Sequence, residues 1–174
     1  MSEIYNKPSL DGIAVRHFSP EDAIMLAAIA KRAFDTDCLS EEPDADTVPE
    51  GYSDPDWYRD LNTDKEQCMV ILKDDKIVGG VVVSEEKQEN WLERIFIDPE
   101  FQQMGIGSYA IDKVENDFYP ESKVWKIDSP VNNRGPHEFY MKNGFIKEGL
   151  LDDNWLLFVK FKALNNNLKG DKSV

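Results

Sequence analysis

The segment Ile97-Asp98-Pro99-Glu100-Phe101-Gln102-Gln103-Met104-Gly105-Ile106-Gly107-Ser108 stands between a β-rich run and a helical one. Asp98-Pro99 stops the strand, because proline has no amide to give a ladder. Gly105 and Gly107, one residue apart, let the backbone turn tightly and come close to a ligand. The first amides of the following helix lack internal partners and sit at the positive end of its dipole. Together they form a cradle for an anion such as a phosphate or pyrophosphate. The segment lacks the GxxxxGK[ST] pattern of a P-loop and the third glycine of a dinucleotide fingerprint. It holds no cation, and no carboxylate falls between Gln102 and Ile111.

Upstream of the cradle, residues 13–18 alternate apolar and polar and read as a strand. Ser19-Pro20-Glu21-Asp22 then offers a helix N-cap, a proline at the first position and early acids. Ala23, Leu26, Ala27, Ala30 and Phe34 make the apolar stripe of that helix. Residues 53–61 suit a short second helix, with Trp57 and Leu61 one turn apart. Residues 68–72 and 77–83 form a hairpin around Asp74-Asp75-Lys76, and 91–97 make a further strand. Downstream, residues 105–118 are helical, 124–127 form a strand, and 133–142 form a helix closed by Asn143-Gly144. Two strands, 145–146 and 155–161, end the pattern. The order β-α-α-β-β-β-α-β-α-β-β mixes a meander with crossover helices, which predicts a single α/β (α+β) domain on a mixed sheet. Its expected limits are 13–163, between an extension at 1–12 and a polar tail at 164–174.

Composition narrows the partners. Lys and Arg number 20 against 34 Asp and Glu, giving the 174-residue chain a formal charge of −14. Nucleic acid and anionic membrane surfaces are therefore not expected partners. An apolar fraction of 41% with 11% aromatics is too rich for a disordered chain. No apolar run is long enough for a membrane span and no leader is visible, so the expected location is cytoplasmic. Cys38 and Cys68, or His17 and His137, show no metal-ligand or disulfide spacing. The acid itself is concentrated: residues 35–66 hold twelve carboxylates against Arg59 and Lys65. Such a run is either a solvated face or an electrostatic funnel for a cation.

The cradle, with a second segment about thirty residues on, resembles the GNAT family of N-acetyltransferases. That second segment is Asn133-Arg134-Gly135-Pro136-His137-Glu138-Phe139-Tyr140-Met141-Lys142-Asn143-Gly144-Phe145. The resemblance covers essentially residues 13–161 and implies a mostly antiparallel central sheet flanked by helices. It also implies acetyl-CoA as cofactor and an amine as acceptor. Gln102 stands where many members carry arginine, so backbone amides must do most of the anion binding.

Site residues follow from the resemblance. Gln102, Gln103, Met104, Gly105, Ile106, Gly107 and Ser108 would hold the pyrophosphate. Ile95, Phe96 and Ile97 would lie along the cofactor arm, with backbone groups of Phe96 and Ile97 pairing with it. The Ile97 amide would polarise the acetyl carbonyl, and Asn133 would contact the arm. Tyr140 sits where the family's general-acid tyrosine lies. An ammonium with a pKa near ~10.4 must lose a proton before it attacks. Alternation along the strand puts Glu93 on one face with Ile95 and Ile97, which makes it the best-placed base, the alternative being a water chain. The acceptor groove is built by the helices after the first strand, so Asp54, Asp56, Trp57 and Tyr58 would meet a cationic small-molecule amine. The expected activity is direct acetyl transfer in a ternary complex, by a monomer or homodimer with no metal. The alternative is a non-catalytic acyl-CoA-binding or regulatory module on the same fold.

Overall fold

A computed structural model describes residues 10–37, 48–61, 63, 65–87 and 89–162. The tail at 164–174, most of the extension and residues 38–47 of the acidic stretch lie outside the described residues. The elements run β1 (Ile13–His17), α1 (Ala23–Asp37), α2 (Pro55–Asp60), β2 (Glu66–Lys73), β3 (Lys76–Glu86) and β4 (Glu89–Ile97). They continue as α3 (Ile106–Lys113), β5 (Val124–Pro130), α4 (Arg134–Lys142), β6 (Ile146–Leu150) and β7 (Trp155–Phe161). The predicted order of elements is the observed one.

Local chemistry explains the ends of these elements. The hairpin joining β2 and β3 turns on Asp74 (φ 49°) and Asp75 (φ 63°), between the paired Lys73 and Lys76. Aspartate tolerates the left-handed region that a two-residue hairpin loop requires. Before α1, Asp22 accepts the Ser19 amide at 2.8 Å and both guanidinium nitrogens of Arg16 at 2.7 and 2.9 Å. This fork ties β1 to the helix entry, and it holds the Asp22 carboxyl below its usual range. The expected helix at 105–118 is α-helical only to Lys113, and residues Val114–Phe118 form a wider π turn.

Seven strands form one sheet in the order β1-β2-β3-β4-β5-β7-β6. Every pairing is antiparallel except β4 with β5. Side chains alternate between two cores. One lies against α3 and α4 and contains Val81, Val83, Leu92, Ile97, Ile106, Trp125, Ile127 and Phe158. The other lies against α1 and α2 and contains Leu26, Ala30, Tyr58, Val70, Val82 and Phe96. Cys68 is fully buried in this second core, where burial pushes its thiol up to about 12 and leaves it unreactive.

Glu115, in the π turn, is 4% exposed and accepts two bonds from Lys160 of β7, at 2.9 and 2.7 Å. Burial still raises its carboxyl above the usual range, with Lys160 opposing. Lys160→Met should therefore destabilise the domain by about 3 kcal/mol at neutral pH, because a buried carboxylate loses its cation. Without Lys160 the native state holds a proton on Glu115 to higher pH than the unfolded chain does. The deficit should thus shrink as pH falls toward 5, as urea unfolding at the two pH values would measure.

Candidate active site

The pairing of β4 with β5 is short. It runs Glu89↔Val124, Asn90↔Trp125 and Trp91↔Lys126, and stops. Beyond Trp91, β4 stays bonded to β3 while β5 turns its whole length to β7. A gap opens between them, pointing at the turn after β4. A cavity of about 590 Å³ occupies this end of the molecule. Its lining includes Ile95, Phe96 and Ile97 of β4, residues 105–108 at the start of α3, and Phe139 and Tyr140 of α4.

The turn has the shape an anion needs. Gln103 (φ 60°) and Gly105 (φ 81°) both adopt the left-handed region, which aims the amides entering α3 at the cavity. Tyr109 makes the first helical bond, to the Gly105 carbonyl at 3.0 Å, so the preceding amides have no helical acceptor. A Cβ on Gly107 would stand 3.0 Å from the Phe139 ring, so a larger residue there would push the ring of α4 away from the turn. Gln102 is committed to the protein: its side-chain amide donates to the Ile97 carbonyl at 3.0 Å. A cation nonetheless lines the cavity: Lys142, at the end of α4. No spacing rule links positions forty residues apart, which is why sequence reasoning missed it. Ala33, Phe101, Pro136 and Glu138 line the cavity as well.

Backbone parity along β4 revises one expectation. Asp98 donates to Val78 of β3 at 2.8 Å. Amides alternate in direction along an extended strand, so that of Phe96 also faces β3. The amides of Ile95 and Ile97 point into the gap. Phe96 also lines the cavity, while its ring packs with Phe34 and Tyr58 in the α1 and α2 core at 4% exposure.

Tyr140 is 9% exposed, and its ring packs on Phe139, Phe145 and Phe158. Met104 is 39% exposed and Asn133, the α4 N-cap, is half-exposed; neither belongs to the cavity lining.

Glu93 lies elsewhere than alternation predicts. Val82 pairs with Arg94 but Val83 pairs with Leu92, so Glu93 is the extra residue of a β-bulge. The bulge reverses the phase of the strand. Leu92, Ile95 and Ile97 share the α3 side, whereas Glu93 accepts the hydroxyl of Ser84 and is open to solvent. Ser84 alternates with Val82, which faces α1, so Glu93 belongs to that side.

The acceptor residues expected on α2 divide. Tyr58 is fully buried and donates to the Tyr52 carbonyl at 2.9 Å, which makes it a core residue and not a groove wall. Its partner one turn on is Leu61, also buried, so α2 rotates Tyr58 rather than Trp57 inward. Asp54 caps the helix through the Asp56 amide at 2.9 Å, and Asp56 pairs with Arg59. Trp57 is half-buried beneath the Arg94 guanidinium, 3.7 Å from the ring centre. Arg94 also donates to the Glu50 carbonyl and fastens this segment to β4. No group of three or more His, Cys, Asp or Glu suited to a metal occurs among the described residues.

Among solved structures, the chain is similar to a PaiA N-acetyltransferase of Thermoplasma acidophilum in complex with coenzyme A. The TM-score is 0.74 at 18% identity, covering 86% of this chain and 99% of that one. It is similar also to a spermidine N-acetyltransferase SpeG chimera from Vibrio cholerae and hSSAT (TM-score 0.67, 16% identity, 87% and 96% covered). A third likeness is the ribosomal-protein-S18-alanine N-acetyltransferase of Escherichia coli (TM-score 0.66, 12% identity, 90% and 98% covered). At these identities the likeness is one of fold. In sequence, the chain is 32% identical over 96 residues to the uncharacterized protein YrkN of Bacillus subtilis (strain 168). That match covers 53% of this chain and spans about half the relative's length, 51%. A family-level match covers residues 26–145, from α1 through α4, under the description Acetyltransferase (GNAT) family. That span exceeds half the chain and includes both the turn and the gap beside it, and the chain therefore belongs to the acetyltransferase (GNAT) family.

Proposed function

We propose that this chain is an acetyl-CoA-dependent N-acetyltransferase that acetylates a primary amine of a cationic small molecule, by direct transfer with both substrates bound. The observation that carries the reading is one cavity continuous from the amide-lined turn, along the free edge of β4, to Tyr140. Acetyl-CoA supplies the acetyl group activated as a thioester. The amides of residues 103–108 hold the pyrophosphate, with the Ser108 hydroxyl beside them and Lys142 as counter-charge. Ile95 and Ile97 give their gap-facing amides to the cofactor arm, and the Ile97 amide polarises the acetyl carbonyl. Asn133 approaches the same arm from the start of α4. Tyr140 donates its phenolic proton to the departing sulfur, whose thiol pKa near ~8.5 makes this help modest but useful.

The amine class is supported by the charge of −14 and by the acetyltransferase of similar fold that is named for spermidine. Asp54 and Asp56 on the open side of α2 contribute to an acidic field that draws a cation inward, and Trp57 borders the path.

Free-thiol release from acetyl-CoA tests the activity across spermidine, a lysine peptide, a peptide with N-terminal alanine, and a neutral amine. Release should depend on the amine and fall with added salt for spermidine. Equal turnover of the neutral amine at low salt would remove the cationic preference. Thermal stabilisation by CoA without any release would point to a binding module. Tyr140→Phe should lower kcat roughly hundredfold with little change in cofactor KM, and activity that largely survives it would discard the acid. Gly107→Val should weaken stabilisation by CoA while circular dichroism stays native, because the added side chain presses on the Phe139 ring that walls the cavity.

A further inference from the structure

Where β4 and β5 part, each strand carries a carboxylate. The parallel pairing ends at Trp91↔Lys126, and Glu93 and Asp128 each lie two residues past that last pair. On β5, Trp125 and Ile127 point into the α3-side core, so Lys126 and Asp128 belong to the other face. The bulge turns Glu93 toward that same face. The two acids therefore flank the gap from its two strands, on the side away from α3 and α4. Neither takes part in an ion pair among the described residues.

Their surroundings differ. The Glu93 carboxylate accepts the Ser84 hydroxyl. Asp128 is open to solvent at the mouth of the gap, yet the strands packed around its carboxyl raise it above the usual carboxylate range. Like charge from Glu93, and then from Asp152 in the turn between β6 and β7, adds to that rise. A carboxylate of raised proton affinity, exposed on a sheet face and beside a second acid, is suited to take a proton from a bound ammonium.

We infer that Asp128 is the base that takes the proton from the acceptor ammonium, and that Glu93 is the counter-charge that holds this ammonium in the gap. The inference rests on the acetyl-transfer function proposed above and assigns the acceptor end of that site. The ammonium gives one proton to Asp128, which passes it to solvent. The neutral nitrogen then bonds the acetyl carbon as the carbon–sulfur bond breaks. A second proton leaves the nitrogen and replaces the one that Tyr140 gives to sulfur. The products are an amide, a free thiol and one proton in solution. Glu93 sits two residues before Ile95 on β4, so the bulge places the anchor beside the amides that line the cofactor side.

Two measurements test this, one of them independent of turnover. In the ligand-free protein, the carboxyl carbon of Asp128 followed by NMR should titrate above an ordinary aspartate, and Glu93→Gln should lower its midpoint. An ordinary midpoint unchanged by that substitution would overturn the pairing. In the thiol-release assay, with the best amine of the panel, Asp128→Asn should lower kcat/KM about a hundredfold at pH 7. That deficit should narrow toward pH 10 as the amine sheds its own proton. Glu93→Gln should act mainly on the KM of the amine. CoA should stabilise both variants as it does the parent; a loss of that stabilisation would assign Asp128 a structural part and overturn the inference. An active parent with Asp128→Asn within threefold of it refutes the base but leaves the transferase standing. A parent that releases no thiol with any amine refutes the transferase itself, while the titration still reports on the pair.

Discussion

β4 has one partner for its whole length and a second for only three residues. A strand in mid-sheet ordinarily satisfies its backbone on both sides, and an amide left unpaired away from water costs about as much as a lost hydrogen bond. Past Trp91, β4 gives up that second ladder because β5 belongs to β7, with seven paired residues from Val124↔Phe161 to Pro130↔Trp155. The gap is thus a fixed consequence of the pairing pattern. The amides it leaves at Ile95 and Ile97 are offered to whatever chain lies between the strands. α3 and α4 then bound the gap, with Gly107 of one against the Phe139 ring of the other.

The charge distribution is organised around the same feature. The turn that receives an anion contains no carboxylate, and Lys142 lines the same cavity. On the opposite side of the sheet, Glu93 and Asp152 both add like charge to Asp128, and none of the three is in an ion pair among the described residues. The turn proposed for the anionic cofactor and the face proposed for the acceptor thus differ in sign. Arg94 does not disturb this pattern. Its guanidinium is 9% exposed, lies over Trp57, and serves to hold the α2 segment on the sheet.

Much of the fold was legible because the deciding signals are local. Asp74-Asp75 marks a hairpin by backbone tolerance alone, Asp98-Pro99 ends β4, and Asn143-Gly144 closes α4 with Gly144 at φ 88°. The cradle was legible for the same reason, since its geometry is carried by Gly105 and by a helix start. Errors arose where a local pattern had to be extended across a contact. Strict alternation placed Glu93 beside Ile95, and one extra residue opposite β3 undid it. The resemblance and the acidic charge suggested that Asp54, Asp56, Trp57 and Tyr58 meet a ligand, but the packing of α2 on α1 turns Tyr58 fully inward.

The sequence by itself determined the order of elements, the turn that accepts an anion and the tyrosine that follows it, because dihedral preference and periodicity act over a few residues. Tertiary structure alone decided the opening between β4 and β5, the arrival of Lys142 at the cavity, and the bulge that turns Glu93 to the sheet face that carries Asp128. Each of these depends on the register between strands or the docking of a helix. Register is set by which neighbour a strand pairs with, and that choice is made by the whole sheet.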